Sequence, residues 1–173
     1  MKLGYVGLGK MGFGMVELML EKGHQVVAYN RHKEVIAEIE KKGAKGTESY
    51  ETLVSSLPKP RTIWLMVSHQ AVDEVIGKLL PLIEKGDTII DGGNSPYKES
   101  IRRAKELEAK GIDFLDAGVS GGPGGARSGA CIMVGGREEV FKRYEPLLRD
   151  ITVPNGYRYM GPSGAGHFVK MVH

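Results

Sequence analysis

The sequence predicts a doubly wound α/β domain, a mostly parallel sheet with helices on both faces. Three observations carry this. Apolar runs of strand length alternate with segments of helical spacing, the runs show little polar alternation, and the 25 glycines gather in clusters. Runs without alternation suit strands buried on both faces, and helices must then cover both. At 173 residues, with 41% hydrophobic and 26% charged residues, the chain reads as one domain over 1–173. A single core at this length buries roughly 70% of the surface the unfolded chain exposes, so no disulfide or metal staple is required.

The first run, Leu3 to Val6, leads into a helix from about Lys10 to Lys22 that places Phe13, Val16 and Leu20 on one face and stops at Gly23. Runs at Val26 to Tyr29, Ile63 to Val67 and Thr88 to Ile90 follow, each with a helical segment after it, giving the order βαβαβαβ. The next helix, Pro96 to Lys110, is expected to take Ser95 as N-cap, Pro96 as N1 and Gly111 just past its end. Strands at Asp113 to Ala117 and Ala130 to Val134, a helix from about Glu138 to Leu148, a Pro154-Asn155-Gly156 turn and a short strand near Arg158 to Met160 complete the sheet. A last helix, with Ser163 able to cap it, runs to His173 without a C-cap glycine, so the chain is expected to be cut inside an element.

Composition also limits the partners. A net charge of +3 is small and dispersed, which argues against nucleic acid while leaving room for one local anionic ligand. The one cysteine, Cys131, can neither close an internal disulfide nor build a cysteine zinc site, and no metal centre is expected. The N-terminus opens on Lys2 and a short apolar run rather than a secretory signal, so the expected location is the cytoplasm, with no membrane partner.

Gly7-Leu8-Gly9-Lys10-Met11-Gly12 stands between the first run and the first helix. Gly7 permits a tight turn, Gly9 lets backbone N–H groups approach a pyrophosphate, and Gly12 lets the helix pack closely on the strand. The bland alternative is a purely structural glycine turn. About 20 residues on, where an acid would bond the ribose of NAD, stand Asn30, Arg31 and His32. Asn30 can bond a ribose oxygen, and the planar fork of Arg31 can meet a 2′-phosphate, so NADP fits better than NAD, though NAD stays possible. Arg31 and Lys33 could equally be solvated charges at a helix start. Context and fingerprint together predict a Rossmann-type fold.

Two further motifs fall at the carboxyl ends of strands, where ligands bind in such folds. Asp91-Gly92-Gly93-Asn94-Ser95 could aim the Asn94 amide at substrate hydroxyls or the nicotinamide, or could be a turn serving only backbone geometry. Val119 to Ala126 is a glycine-rich loop whose hydroxyl, Ser120, and N–H groups could hold a carboxylate; alternatively it is a flexible loop. In the last helix Lys170 and His173 share a face, and Lys170 would lie among Phe168, Val169 and Met171, apolar surroundings of the kind that make a lysine a base. A snorkelling lysine on an amphipathic helix is the competing reading.

The motifs GLGKMG (Gly7 to Gly12), YNR (Tyr29 to Arg31), DGGNS (Asp91 to Ser95), VSGGPGGARSG (Val119 to Gly129) and GAGHFVKMVH (Gly164 to His173) together resemble the decarboxylating 6-phosphogluconate dehydrogenases, and the resemblance covers the whole chain. It implies NADP-dependent conversion of a sugar-acid phosphate, 6-phosphogluconate, to ribulose 5-phosphate. Lys170 would be the general base, Ser120, Gly121 and Gly122 would hold the substrate near its carboxylate, and Asn94 and His173 would bind the sugar chain. Asn94, Met66, Val67 and Ser68 would face the cofactor together with the fingerprint loop, Asn30, Arg31 and His32. The family continues with a glutamate general acid and an all-helical domain carrying the phosphate-binding basic residues, neither of which is in this sequence. The resemblance further implies a homo-oligomeric full-length protein. The runner-up is the broader group of β-hydroxyacid dehydrogenases, which share the fingerprint and an SGG loop; a non-catalytic dinucleotide-binding module is the third reading.

Overall fold

A computed structural model describes residues 1–172. At the centre of the sheet β1 (Lys2–Val6) lies between β2 (Gln25–Tyr29) and β4 (Thr62–Leu65), and β3 (Lys45–Thr47) adds to β2 at one edge. Beyond β4 follow β5 (Thr88–Asp91), β6 (Asp113–Ser120), β7 (Ala130–Gly135) and β8 (Thr152–Gly161), giving the order β3-β2-β1-β4-β5-β6-β7-β8. All pairings are parallel except β6 with β7. The strand order reverses between β1 and β4, and a crevice must open there because the flanking crossovers leave toward opposite faces.

Successive residues of the central strands feed opposite cores, as a two-residue period demands. Trp64, Ile90 and Leu115 pack in one cluster, with Tyr5, Met15 and Met19. Ile63, Ile89 and Phe114 pack in the other, with Leu53, Leu79 and Leu107. The helices α1 (Lys10–Glu21), α6 (Gly122–Ser128), α7 (Glu138–Arg143) and α8 (Glu145–Ile151) supply the first face. The helices α3 (Tyr50–Ser55), α4 (Val72–Leu79) and α5 (Tyr97–Glu108) supply the second. Helix α2 (Lys33–Glu40) follows β2, and α9 (Ala165–Val172) packs on β6, β7 and β8. No described helix is long and apolar enough to cross a membrane.

Several local expectations are corrected. Pro96, not Ser95, is the N-cap of α5, because the Ser95 hydroxyl donates to Asp91 Oδ2 (2.6 Å) and is unavailable to the helix. The single helix expected from Glu138 to Leu148 breaks at Tyr144 into α7 and α8, where Pro146 lacks the N–H that would continue the ladder. The glycine-rich loop contains a helix, α6, and the short last strand is the C-terminal part of the longer β8. Its Pro154-Asn155-Gly156 segment is a bulge rather than a turn between elements: the β7 register jumps from Ala130↔Thr152 to Ile132↔Tyr157, and Asn155 takes φ 60°. The sequence reading missed β3 and α3, both short.

Candidate functional site

The glycine fingerprint separates into structural and open positions. A Cβ on Gly7, whose φ is +104°, would lie 2.2 Å from the Met66 carbonyl oxygen, and one on Gly12 would lie 2.2 Å from that of Gly7. Both glycines are therefore demanded by the protein's own packing. A Cβ on Gly9 would meet nothing within 4 Å. Gly9 is the N-cap of α1, has no side-chain cap, and is followed by no acid in the first turn. The positive end of α1, with its unpaired N–H groups at Lys10 and Met11, thus faces open space suited to an anion. Asn30 Oδ1 accepts from the Leu8 N–H (2.9 Å), so the β2 end pins the loop across 22 residues of sequence.

Two clefts meet at this loop. One, of about 400 Å³, runs from Gly7 and Gly9 past Asn30, Arg31 and His32 to Tyr50, Glu74 and Lys78. The other, of about 320 Å³, runs from Gly9, Met11 and Gly12 to Gly92, Gly93 and Asn94. Gly9, Met66, Val67 and Ser68 border both, so the two form one groove along the carboxyl edge of the sheet across the strand-order reversal. Arg31 makes no ion pair among the described residues, whereas Lys78 is 3.2 Å from Glu74 and 6.0 Å above the Tyr50 ring. Tyr50 in turn packs on Tyr29 with centroids 4.4 Å apart, and burial pushes its phenol up to about 12. Tyr50, Glu74 and Lys78 escaped the sequence reading; only the i,i+4 spacing of the last two was visible there.

Beyond the second cleft, the turn after β5 is tied from within. Asp91, without exposed surface, accepts from the Gly93 N–H (3.0 Å) and the Ser95 hydroxyl, which leaves Asn94 exposed between them. Lys170 Nζ donates to Asn94 Oδ1 over 2.5 Å. The base of the Lys170 side chain covers Gly118, where a Cβ would come within 2.5 Å of Lys170 Cβ. Ser120 lies two residues further along β6, on the same strand face, at the head of the turn formed by Gly121 (φ +128°) and Gly122 (φ +64°). Of the apolar residues expected around Lys170, Phe168 and Met171 turn outward, 46% and 69% exposed, with Phe168 edge-on against Tyr97, while Val169 and Lys170 itself are half-buried. No carboxylate lies within ion-pair distance of Lys170 among the described residues. Helix α9 is fixed by Asp116, whose carboxylate accepts from the N–H groups of Gly164 (2.8 Å) and His167 (2.9 Å), so this strand residue does the work expected of Ser163. His173 lies outside the described residues.

A groove over a glycine loop and helix N-terminus, at the reversal point of a parallel sheet, defines an NAD(P)-binding domain of the Rossmann class. The chain is narrower than that class: the model for the NAD binding domain of 6-phosphogluconate dehydrogenase matches residues 2–161, and the chain belongs to this family. It is 49% identical over 173 residues to the YqeC protein of Bacillus subtilis, covering 100% of the chain and 58% of the relative. To the NAD(+)-dependent, decarboxylating 6-phosphogluconate dehydrogenase of Haloferax volcanii it is 43% identical over 175 residues, with the same 100% and 58% coverage. The 6-phosphogluconate dehydrogenase of Plasmodium falciparum, solved apo, with NADP+ and with 6-phosphogluconate, superposes with a TM-score of 0.92 at 35% identity, covering 100% of the chain and 39% of that protein. The chain thus spans less than two thirds of these relatives.

Proposed function

We propose that this chain is the cofactor half of an enzyme that oxidatively decarboxylates 6-phosphogluconate to ribulose 5-phosphate, with NADP as the preferred acceptor. The observation that carries the reading is the Lys170–Asn94 contact at the end of the dinucleotide groove: it brings the DGGNS turn and the last helix, far apart in sequence, to one point. A dinucleotide in the groove would have its pyrophosphate on the α1 N-terminus, its adenosine in the Arg31 cleft and its nicotinamide in the Asn94 cleft, where it would accept a hydride. The open space at Gly9 and the unpaired Arg31 both fit such a ligand.

Lys170 removes the proton from the substrate 3-hydroxyl as the C3 hydride departs, and a ketone β to the carboxylate results. The C1–C2 bond then breaks, releasing carbon dioxide and leaving an enediol, and protonation of its C2 carbon gives ribulose 5-phosphate. The bond that Lys170 Nζ donates to the neutral Asn94 carbonyl holds Lys170 in place without a carboxylate fixing the ammonium. Asn94 also reaches the sugar hydroxyls, Ser120, Gly121 and Gly122 hold the carboxylate end, and His173 binds the sugar chain. The whole protein would be a cytoplasmic homo-oligomer. A β-hydroxyacid dehydrogenase would use the same groove, but the DGGNS turn seated against Lys170 favours the sugar acid, and a sensor module has no need of a lysine there. The test is formation of NADPH and carbon dioxide by the whole protein, supplied in turn with 6-phosphogluconate and with 3-hydroxyisobutyrate. Turnover of the first alone supports the reading, and turnover of the second alone sinks it.

A further inference from the structure

Helix α5 carries a buried cation that takes no part in the chemistry above. Arg103 is 3% exposed. Its Nε donates to Asp73 Oδ1 (2.8 Å), its Nη2 donates to the His69 carbonyl (3.4 Å), and its Nη1 has no hydrogen-bond partner while lying 3.8 Å from Asp91 Oδ2. One of these partners, His69, lines the Asn94 cleft; Asp91 supports its other wall, and Asp73 stands in the first turn of α4, just beyond His69 in sequence. His69 ends the wall that begins at Met66, and Asp91 fixes the opposite wall, Gly92 to Asn94, through its bonds to Gly93 and Ser95. A fully buried carboxylate is costly without a cation nearby, and among the described residues Arg103 alone pairs with Asp91. The hydrogen bond from Arg103 also holds the Asp73 carboxyl below its ordinary range.

We infer that Arg103 is a positioning residue that fixes the separation of the two walls and so sets how well the groove takes the nicotinamide half of a dinucleotide. The inference rests on reading the groove as a dinucleotide site. It depends on the planar fork: a guanidinium can serve Asp73, His69 and Asp91 from three nitrogens at fixed angles, and a lysine ammonium on a flexible stem cannot hold all three. Helix α5 is the rigid spacer, because Arg102 on its outer face is bound by Glu99, Glu106 and Asp73.

The experiment compares two ligands by calorimetric titration of the purified protein: NADPH, which spans both clefts, and 2′,5′-ADP, which fills only the adenosine cleft. Arg103→Lys is expected to weaken NADPH about tenfold while leaving 2′,5′-ADP within about twofold. Asp73→Asn, a change at a half-exposed position, removes one anchor of the fork and should give the same selective loss to a smaller extent; it decides the matter if Arg103→Lys does not fold. An equal loss for both ligands, or no loss for NADPH, overturns the inference. If the unsubstituted protein binds neither ligand, the reading of the groove falls and this inference with it.

Discussion

Lys170 Nζ and Asn94 Oδ1 stand 2.5 Å apart although 76 residues separate them in sequence. The contact joins the last helix to the turn after β5, and each partner positions the other beside the cleft that Asn94 lines. In the whole protein, Lys170→Met should abolish hydride transfer from 6-phosphogluconate and leave NADPH affinity close to that of the unsubstituted protein, since removing a base costs rate rather than cofactor contacts. Lys170→Arg should fail as well, because a guanidinium stays protonated at neutral pH. Rapid-mixing measurement of NADPH formation, with a parallel titration, checks both; substantial turnover by either variant would assign the proton to another group.

The fingerprint glycines should separate by phenotype. Gly9→Ala adds a methyl group into open space at an ordinary extended φ of −68°, so the melting temperature should barely change while NADPH binding weakens by about tenfold, ~1.4 kcal/mol. Gly12→Ala drives a Cβ onto the Gly7 carbonyl and should cost ~1–3 kcal/mol of stability before any ligand is added. Thermal melts with and without NADPH distinguish the two, and a strongly destabilised Gly9→Ala variant would contradict the assignment of that space to a ligand.

Arg31 decides cofactor preference if NADP is the acceptor. Arg31→Ala should weaken NADPH by about 1.5 kcal/mol and NADH hardly at all, the size expected for an exposed charge-assisted pair. Equal losses would show that the guanidinium contacts what the two cofactors share, and would align this chain with the relatives named as NAD(+)-dependent.

Asp116 is buried without exposed surface and caps α9 from a neighbouring strand. Asp116→Ala leaves two buried N–H groups without acceptors, at about 1–3 kcal/mol each. Hydrogen exchange should therefore quicken at Gly164 and His167 and along α9, more than at α1. Uniform exchange across the domain would deny the cap its role.

Trp64, the only tryptophan in the chain, offers a direct readout. Its indole lies beneath Gly92, where a Cβ would meet Trp64 Nε1 at 2.4 Å and Met66 Sδ at 3.0 Å, so it underlies the Asn94 cleft. NADPH should quench its emission with energy transfer to the reduced nicotinamide, and 2′,5′-ADP should not. Quenching by both ligands alike would place the nicotinamide elsewhere.

The sequence by itself determined the alternation of strands and helices, the two-sided burial of the central strands and the fingerprint at the first strand's end. Each follows from spacing within a few residues, which local sterics and hydrophobic period decide. It misplaced Ser95, whose hydroxyl chose Asp91 over the helix, and Ser163, whose expected role went to Asp116, because capping preference is settled by whichever partner the fold delivers. It also gave Lys170 two neighbours, Phe168 and Met171, that turn outward instead, while the side chain lies over Gly118 beside Asn94. Only the tertiary structure decided that Tyr50, Glu74 and Lys78 enter the Arg31 cleft, that Arg103 lies between the His69 carbonyl and Asp91, and that Asn94 meets Lys170. Those contacts join residues tens of positions apart, and the distance between such residues is set by sheet order and helix packing, which no local pattern encodes.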